Sequence, residues 1–163
     1  MSSTPEEWAK TARTLFDNKR YPQAMHCYER ALLPRERAVA EAYCLRDQAR
    51  GTAVEPGGDD TERVLAFRRA ADAFWSSAEV AVKEKTSYYR IAAECYLQYG
   101  DELQAAHAYH NAAEYTHAAR LYRRVGMFDE AVAVVKSHDV DPSVAENIID
   151  VSRLEYARGG KLK

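Results

Sequence analysis

Cysteine is scarce and unpatterned in this chain. Cys27, Cys44 and Cys95 are odd in number, widely spaced and without a CxxC pair, which argues against a disulfide framework and a zinc site and suggests a reducing compartment. Proline is missing between residues 57 and 141, and β-branched residues are few beside Ala, Glu, Arg, Leu and Tyr, so strands are not expected. No stretch approaches the roughly 18 consecutive apolar residues of a membrane span. The opening MSSTPEEW has neither a basic segment nor an apolar one. An intracellular protein, cytoplasmic or nuclear, with no membrane partner is therefore expected, although no basic cluster marks a nuclear signal.

Charge of one sign is also lacking. The formal net charge is -2 and the pI about 6.2, which disfavours a generally basic nucleic-acid binder. There is no GxxxxGK[ST] phosphate loop, no GxSxG, no HExxH and no paired-acid signature, so no cofactor and no enzyme activity are expected.

What remains is ordinary globular material, 47% hydrophobic and 29% charged in 163 residues, enough for one domain over 1–163. Helical periodicity predicts helices near 5–18, 21–33, 35–50, 61–82, 84–99, 101–113, 114–125, 127–137 and 142–158. GTAVEPGGDD, residues 51–60, lacks periodicity and reads as a loop. YRIAAECYLQYGDELQAAHAY, from Tyr89, lies without a gap over YTHAARLYRRVGMFDEAVAVV, from Tyr115, an offset of 26 residues. Ala92 falls on Ala118, Ala93 on Ala119, Tyr96 on Tyr122, Gly100 on Gly126, Ala105 on Ala131 and Tyr109 on Val135. Each copy reads as a helical hairpin turning at its glycine. Small residues let two helices approach closely, so Ala93 with Ala105, and Ala119 with Ala131, are expected at the crossings. A near-match at the N-terminus pairs Trp8, Ala12 and Leu15 with Ala24, Tyr28 and Ala31, and places Lys19 where the later copies have glycine. In the helix after the loop, Ala71, Trp75 and Ala78 keep the spacing of Ala24, Tyr28 and Ala31.

This alternation of small and large positions resembles the tetratricopeptide repeat (TPR). The fit is best through WAKTARTLFDNKRYPQAMHCYERALLP, which ends at Pro34. It departs at Thr11, where the family prefers leucine, and in its period of 26 against the family's 34. The resemblance implies a right-handed, TPR-like α-solenoid of about nine helices. Its antiparallel hairpins would lie at about 5–33, 35–82, 84–113 and 114–137, followed by a terminal helix at 142–158. FDNKRYPQAMHCYERA is similar, more loosely, to tetratricopeptide segments of large fungal helicase-like proteins with a superfamily 1, UvrD-like ATPase core. The end of the chain looks like the first helix of a further repeat, with Ile149, Tyr156 and then Gly159-Gly160, so either a longer parent array or a capping helix is expected.

His107, His110 and His117 have a spacing that metal ligands can share, but without a completing carboxylate or thiolate they are expected to be exposed and structural. The cysteines, beside apolar helix positions, are expected to be buried. In the tetratricopeptide family the first helix of each hairpin lines a concave groove. By that resemblance the lining is Arg13 and Phe16, then Arg90, Glu94 and Leu97, then Thr116, Arg120 and Arg123, with Arg124 alongside. Guanidinium forks suit carboxylates and phosphates, so the leading expectation is a protein-binding module for an acidic or phosphorylated peptide or helix. A solvated face with local pairs such as Arg90 with Glu94 is the plain alternative. The clamp by which family members hold chaperone tails, lysine and asparagine on the first helix and lysine and arginine on the fifth, is absent, since Ala9 and Arg13, then Ser87 and Ile91, stand at the matching positions. Arginine-rich basic content and eleven tyrosines leave open a nucleic-acid-contacting accessory domain. A spacer or self-associating element is the third reading.

Overall fold

The computed structural model of the chain describes residues 2–159, and over these it is all-α, with nine helices and no strand. They are α1 (Pro5–Asp17), α2 (Tyr21–Arg30), α3 (Pro34–Gly51), α4 (Thr61–Val80), α5 (Lys85–Tyr99), α6 (Glu102–Asn111), α7 (Tyr115–Arg124), α8 (Phe128–Ser137) and α9 (Pro142–Gly159). Gly160, expected to help end the last helix, lies outside the described residues.

Several starts follow from local chemistry. Thr4 caps α1, its hydroxyl accepting from the Glu7 amide at 3.2 Å, while Pro5 occupies the first turn and Glu6 and Glu7 complement the positive helix end. Asp101 caps α6 through the Gln104 amide at 3.0 Å. Asp141 accepts from the Ser143 amide at 3.0 Å and its hydroxyl at 2.6 Å, which holds its carboxyl below the usual range.

Five connections share one design. The amides of Arg20, Leu33, Asp101, Glu114 and Met127 donate to the carbonyls of Leu15, Tyr28, Tyr96, Tyr109 and Tyr122 at 2.7–3.0 Å, five residues back. The residue before each donor is left-handed: Lys19 (φ 61), Leu32 (φ 60), Gly100 (φ 99), Ala113 (φ 60) and Gly126 (φ 84). This is the Schellman ending, and here each donor is also the N-cap of the next helix. Lys19 and Leu32, Gly100 and Ala113, and Ala113 and Gly126 are each 13 residues apart, so the 26-residue period is two helix-and-turn units. The design also explains why α2 and α6 stop at Arg30 and Asn111, short of the expected 33 and 113. Left-handed Leu32 and Ala113 break the helix without a glycine to announce it.

Each helix packs chiefly on its neighbours in the chain, most extensively α4 on α5 and α3 on α4, and α9 reaches both α8 and α7. The interior is dominated by alanine. Ala12, Ala24, Ala93, Ala105, Ala119 and Ala131 expose no surface, and Tyr28, Tyr109 and Tyr122 are buried beside such alanines. Trp8 is half-buried, edge-on to His26 at 6.2 Å and covered by Arg30. Phe74 and Ile148 are the largest side chains fully enclosed; burying each contributes about 1.5–3 kcal/mol. Tyrosine hydroxyls tie helices together where rings alone would leave a polar atom stranded. Tyr96 on α5 donates to Asp72 of α4 at 2.6 Å, and its repeat counterpart Tyr122 on α7 bonds His107 Nδ1 of α6 at 2.8 Å.

Candidate functional site

The meeting of α3, α4 and α5 creates a cavity of about 380 Å³. Arg46 and Arg50 enter it from α3, Arg63 and Phe67 from α4, and Glu94, Cys95 and Gln98 from α5. Each set is helical neighbours, four residues apart in Arg46–Arg50, Arg63–Phe67 and Glu94–Gln98, so one face of each helix supplies the lining. Arg46 lies over the Tyr43 ring at 5.0 Å and the Phe74 ring at 5.9 Å, and Arg63 over Phe67 at 5.7 Å. Such stacking fixes the guanidinium planes and leaves their N–H edges open to an acceptor. Burial pushes the Cys95 thiol up to about 11, with Arg46 and Arg50 opposing the shift and Glu94 adding to it. It is an inert thiol at neutral pH. Cys27 and Cys44 are buried as well, Cys44 donating to the Met25 sulfur at 3.5 Å.

Of the residues expected to line a groove, only Glu94 borders this cavity. Arg13, Arg90 and Arg120 are exposed, and none has an ion-pair partner among the described residues. Arg90 and Arg46 both act on the half-buried Tyr43 phenol, whose pKa rises through burial against their pull. Phe16 is half-buried, edge-on to Tyr21 at 5.2 Å and Tyr43 at 5.4 Å, and so belongs to the packing of the first three helices. Leu97 is exposed. Thr116 accepts from the Asp141 amide at 3.1 Å, tying α7 to the start of α9. Arg123 is half-buried and its Nε has no hydrogen-bond partner, whereas Arg124 reaches Glu102 of α6 at 3.3 Å.

The histidines differ from expectation. His107 and His110 are half-buried because Tyr115 and Tyr122 of α7 overhang α6: His107 bonds the Tyr122 hydroxyl, and His110 lies edge-on to both rings. His117 is exposed, stacked on Tyr109 at 4.9 Å. No three His, Cys, Asp or Glu side chains among the described residues are grouped to hold a metal. Tyr21, Tyr28, Tyr89, Tyr96, Tyr109 and Tyr122 are buried and so withdrawn from stacking on a ligand. No helix of the described residues is long and apolar enough to cross a membrane.

Sequence spacing missed Arg46, Arg50 and Arg63. A signal was present in the i, i+4 pair Arg46–Arg50, but nothing in one dimension pairs it with Arg63 on the far side of a loop. No family model, no curated protein and no solved structure matches the chain.

Proposed function

We propose that the chain is a protein-interaction module without chemistry of its own, a right-handed TPR-like α-solenoid of antiparallel hairpins that offers an arginine-bearing groove to an acidic peptide or helix of a partner. Packing between chain neighbours, with turns 13 residues apart over 19–32 and over 100–126, supports the solenoid reading, since repeat arrays bury their core this way. The observation that carries the binding role is that Arg13 on α1, Arg90 on α5 and Arg120 on α7 form a row of exposed arginines without carboxylate partners among the described residues. An arginine and a glutamate one turn apart on a helix are placed to pair. Here Arg90 and Glu94 have that spacing, yet they form no ion pair among those described.

The test is fluorescence anisotropy with a labelled glutamate-rich peptide, run on the wild type and on a variant with Arg90, Arg120 and Arg123 changed to alanine. Loss of three guanidinium contacts should weaken binding by about a hundredfold or more while circular dichroism stays helical. Unchanged affinity in a folded variant would end this reading.

A further inference from the structure

The cavity between α3, α4 and α5 carries charge that its own walls do not neutralise. Arg46, Arg50 and Arg63 stand against a single carboxylate, Glu94, and none of the three has an ion-pair partner among the described residues. Guanidinium groups stay protonated at all ordinary pH, so the cavity holds an excess of about two positive charges. Two of the three are also fixed in place, Arg46 by Tyr43 and Phe74 and Arg63 by Phe67. In both, the Nε atom is out of solvent and has no hydrogen-bond partner. The Nη groups are not sealed in this way, and an oxyanion entering the cavity supplies acceptors to them. Held arginines lose little freedom when such a ligand arrives.

We propose that this cavity is a binding site for a phosphate dianion, free or carried as a monoester. A single carboxylate would leave half of the excess charge unbalanced. A phosphoryl group brings a charge of about -1.5 to -2 and three acceptor oxygens, which matches both the charge and the number of guanidinium forks. The Gln98 amide adds a neutral donor or acceptor on the α5 wall. Glu94 limits how much negative charge the cavity accepts, so removing its charge strengthens anion binding. The site is distinct from the row of exposed arginines and depends on the proposed function only in one respect, that the phosphoryl group can be carried by a side chain of the partner.

Calorimetric titration of the whole chain at constant ionic strength tests this with three probes: sodium phosphate, sodium chloride as control, and a serine-phosphorylated peptide beside its unphosphorylated form. Phosphate should bind where chloride does not. Arg50→Ala with Arg63→Ala should weaken phosphate by about tenfold or more, Arg153→Ala on the exposed face of α9 should leave it unchanged, and Glu94→Gln should tighten it severalfold. Because Arg46 packs on Phe74, it is tested as Arg46→Lys, which keeps the charge but loses the fork and should weaken phosphate in a chain that stays helical. Tighter binding of the phosphopeptide than of phosphate assigns the ligand to a partner's side chain, and equal binding assigns it to a free phosphate. The site is refuted if chloride matches phosphate, or if the Arg50 and Arg63 double variant binds phosphate as the wild type does. Phosphopeptide binding lost only with Arg90, Arg120 and Arg123 would refute the cavity and keep the groove. Phosphate binding that needs Arg50 and Arg63, with no acidic peptide bound, would keep the cavity and refute the groove.

Discussion

His110 shows how a single side chain couples stability to pH. Its imidazole meets Tyr115 at 5.7 Å, Tyr122 at 6.3 Å and His138 at 5.9 Å, all edge-on, and His138 is itself stacked on Tyr115 at 3.6 Å. Burial lowers its pKa from the ordinary 6.5, and His138 and His107 act in the same direction. The unfolded chain therefore takes up the proton more readily than the folded one. The stability contributed by the neutral ring is complete above 6.5 and is lost as pH falls through the lower folded value. Urea midpoints compared at about pH 7.5 and about pH 5 should fall more steeply for the wild type than for His110→Gln. Parallel slopes would show that the imidazole is not the titrating group. From the sequence this histidine is expected to be exposed, because its position on α6 lies between the apolar ones. The two α7 rings that cover it come from the next helix, which periodicity within α6 cannot register.

The helix-and-turn unit makes its own demands. Lys19, Leu32 and Ala113 hold the left-handed conformation that Gly100 and Gly126 hold elsewhere, and for a residue with a Cβ this costs about 1–2 kcal/mol. Glycine at these three positions removes that cost but adds about 0.4–1 kcal/mol of chain entropy to the unfolded state. Lys19→Gly and Ala113→Gly should each raise stability by somewhat under about 1 kcal/mol, and Leu32→Gly should do likewise because the leucine is 77% exposed and little packing is lost. The reverse change, Gly100→Ala, meets no atom within 4 Å, so it should lower stability by the backbone strain of about 1–2 kcal/mol less the about 0.4–1 kcal/mol of unfolded-state entropy it removes. Urea unfolding of the four variants checks this. Destabilisation by Lys19→Gly would contradict it. Glycine made the turns at 100 and 126 legible, and alignment extended them to Lys19. Leu32 and Ala113 left no trace in the sequence because their φ is imposed by the helices on either side.

At the scale of the whole molecule, packing between chain neighbours means that stability should be graded along the chain. α4 and α5 share the largest contact, whereas α1 rests chiefly on α2, and α9 on α8 and α7. The cluster around Ala12, Ala24 and Tyr28 is also separate from the larger one that runs from Ala42 to Ile148. Amide hydrogen exchange should accordingly be slowest in α4 and α5 and faster toward α1 and α9, as expected when neighbouring units open independently. Equal protection throughout would mean one cooperative unit and would contradict the gradation. By itself the sequence determined the helical class, nine helices among the described residues to within a few residues, and small packing positions such as Ala12, Ala93 and Ala119, though not Ala40, Ala42 or Ala106, which are as fully buried. All of these follow from a 3.6-residue period, caps and small side chains, which act within a turn or two of chain. Only the tertiary structure decided which charges meet. Arg46, Arg50, Arg63 and Glu94 converge because three helices cross at particular angles and registers, and His107 finds Tyr122 for the same reason. Side chains 15 to 48 residues apart in the chain become neighbours through packing of whole helices, and that outcome is not written in the spacing along any one of them.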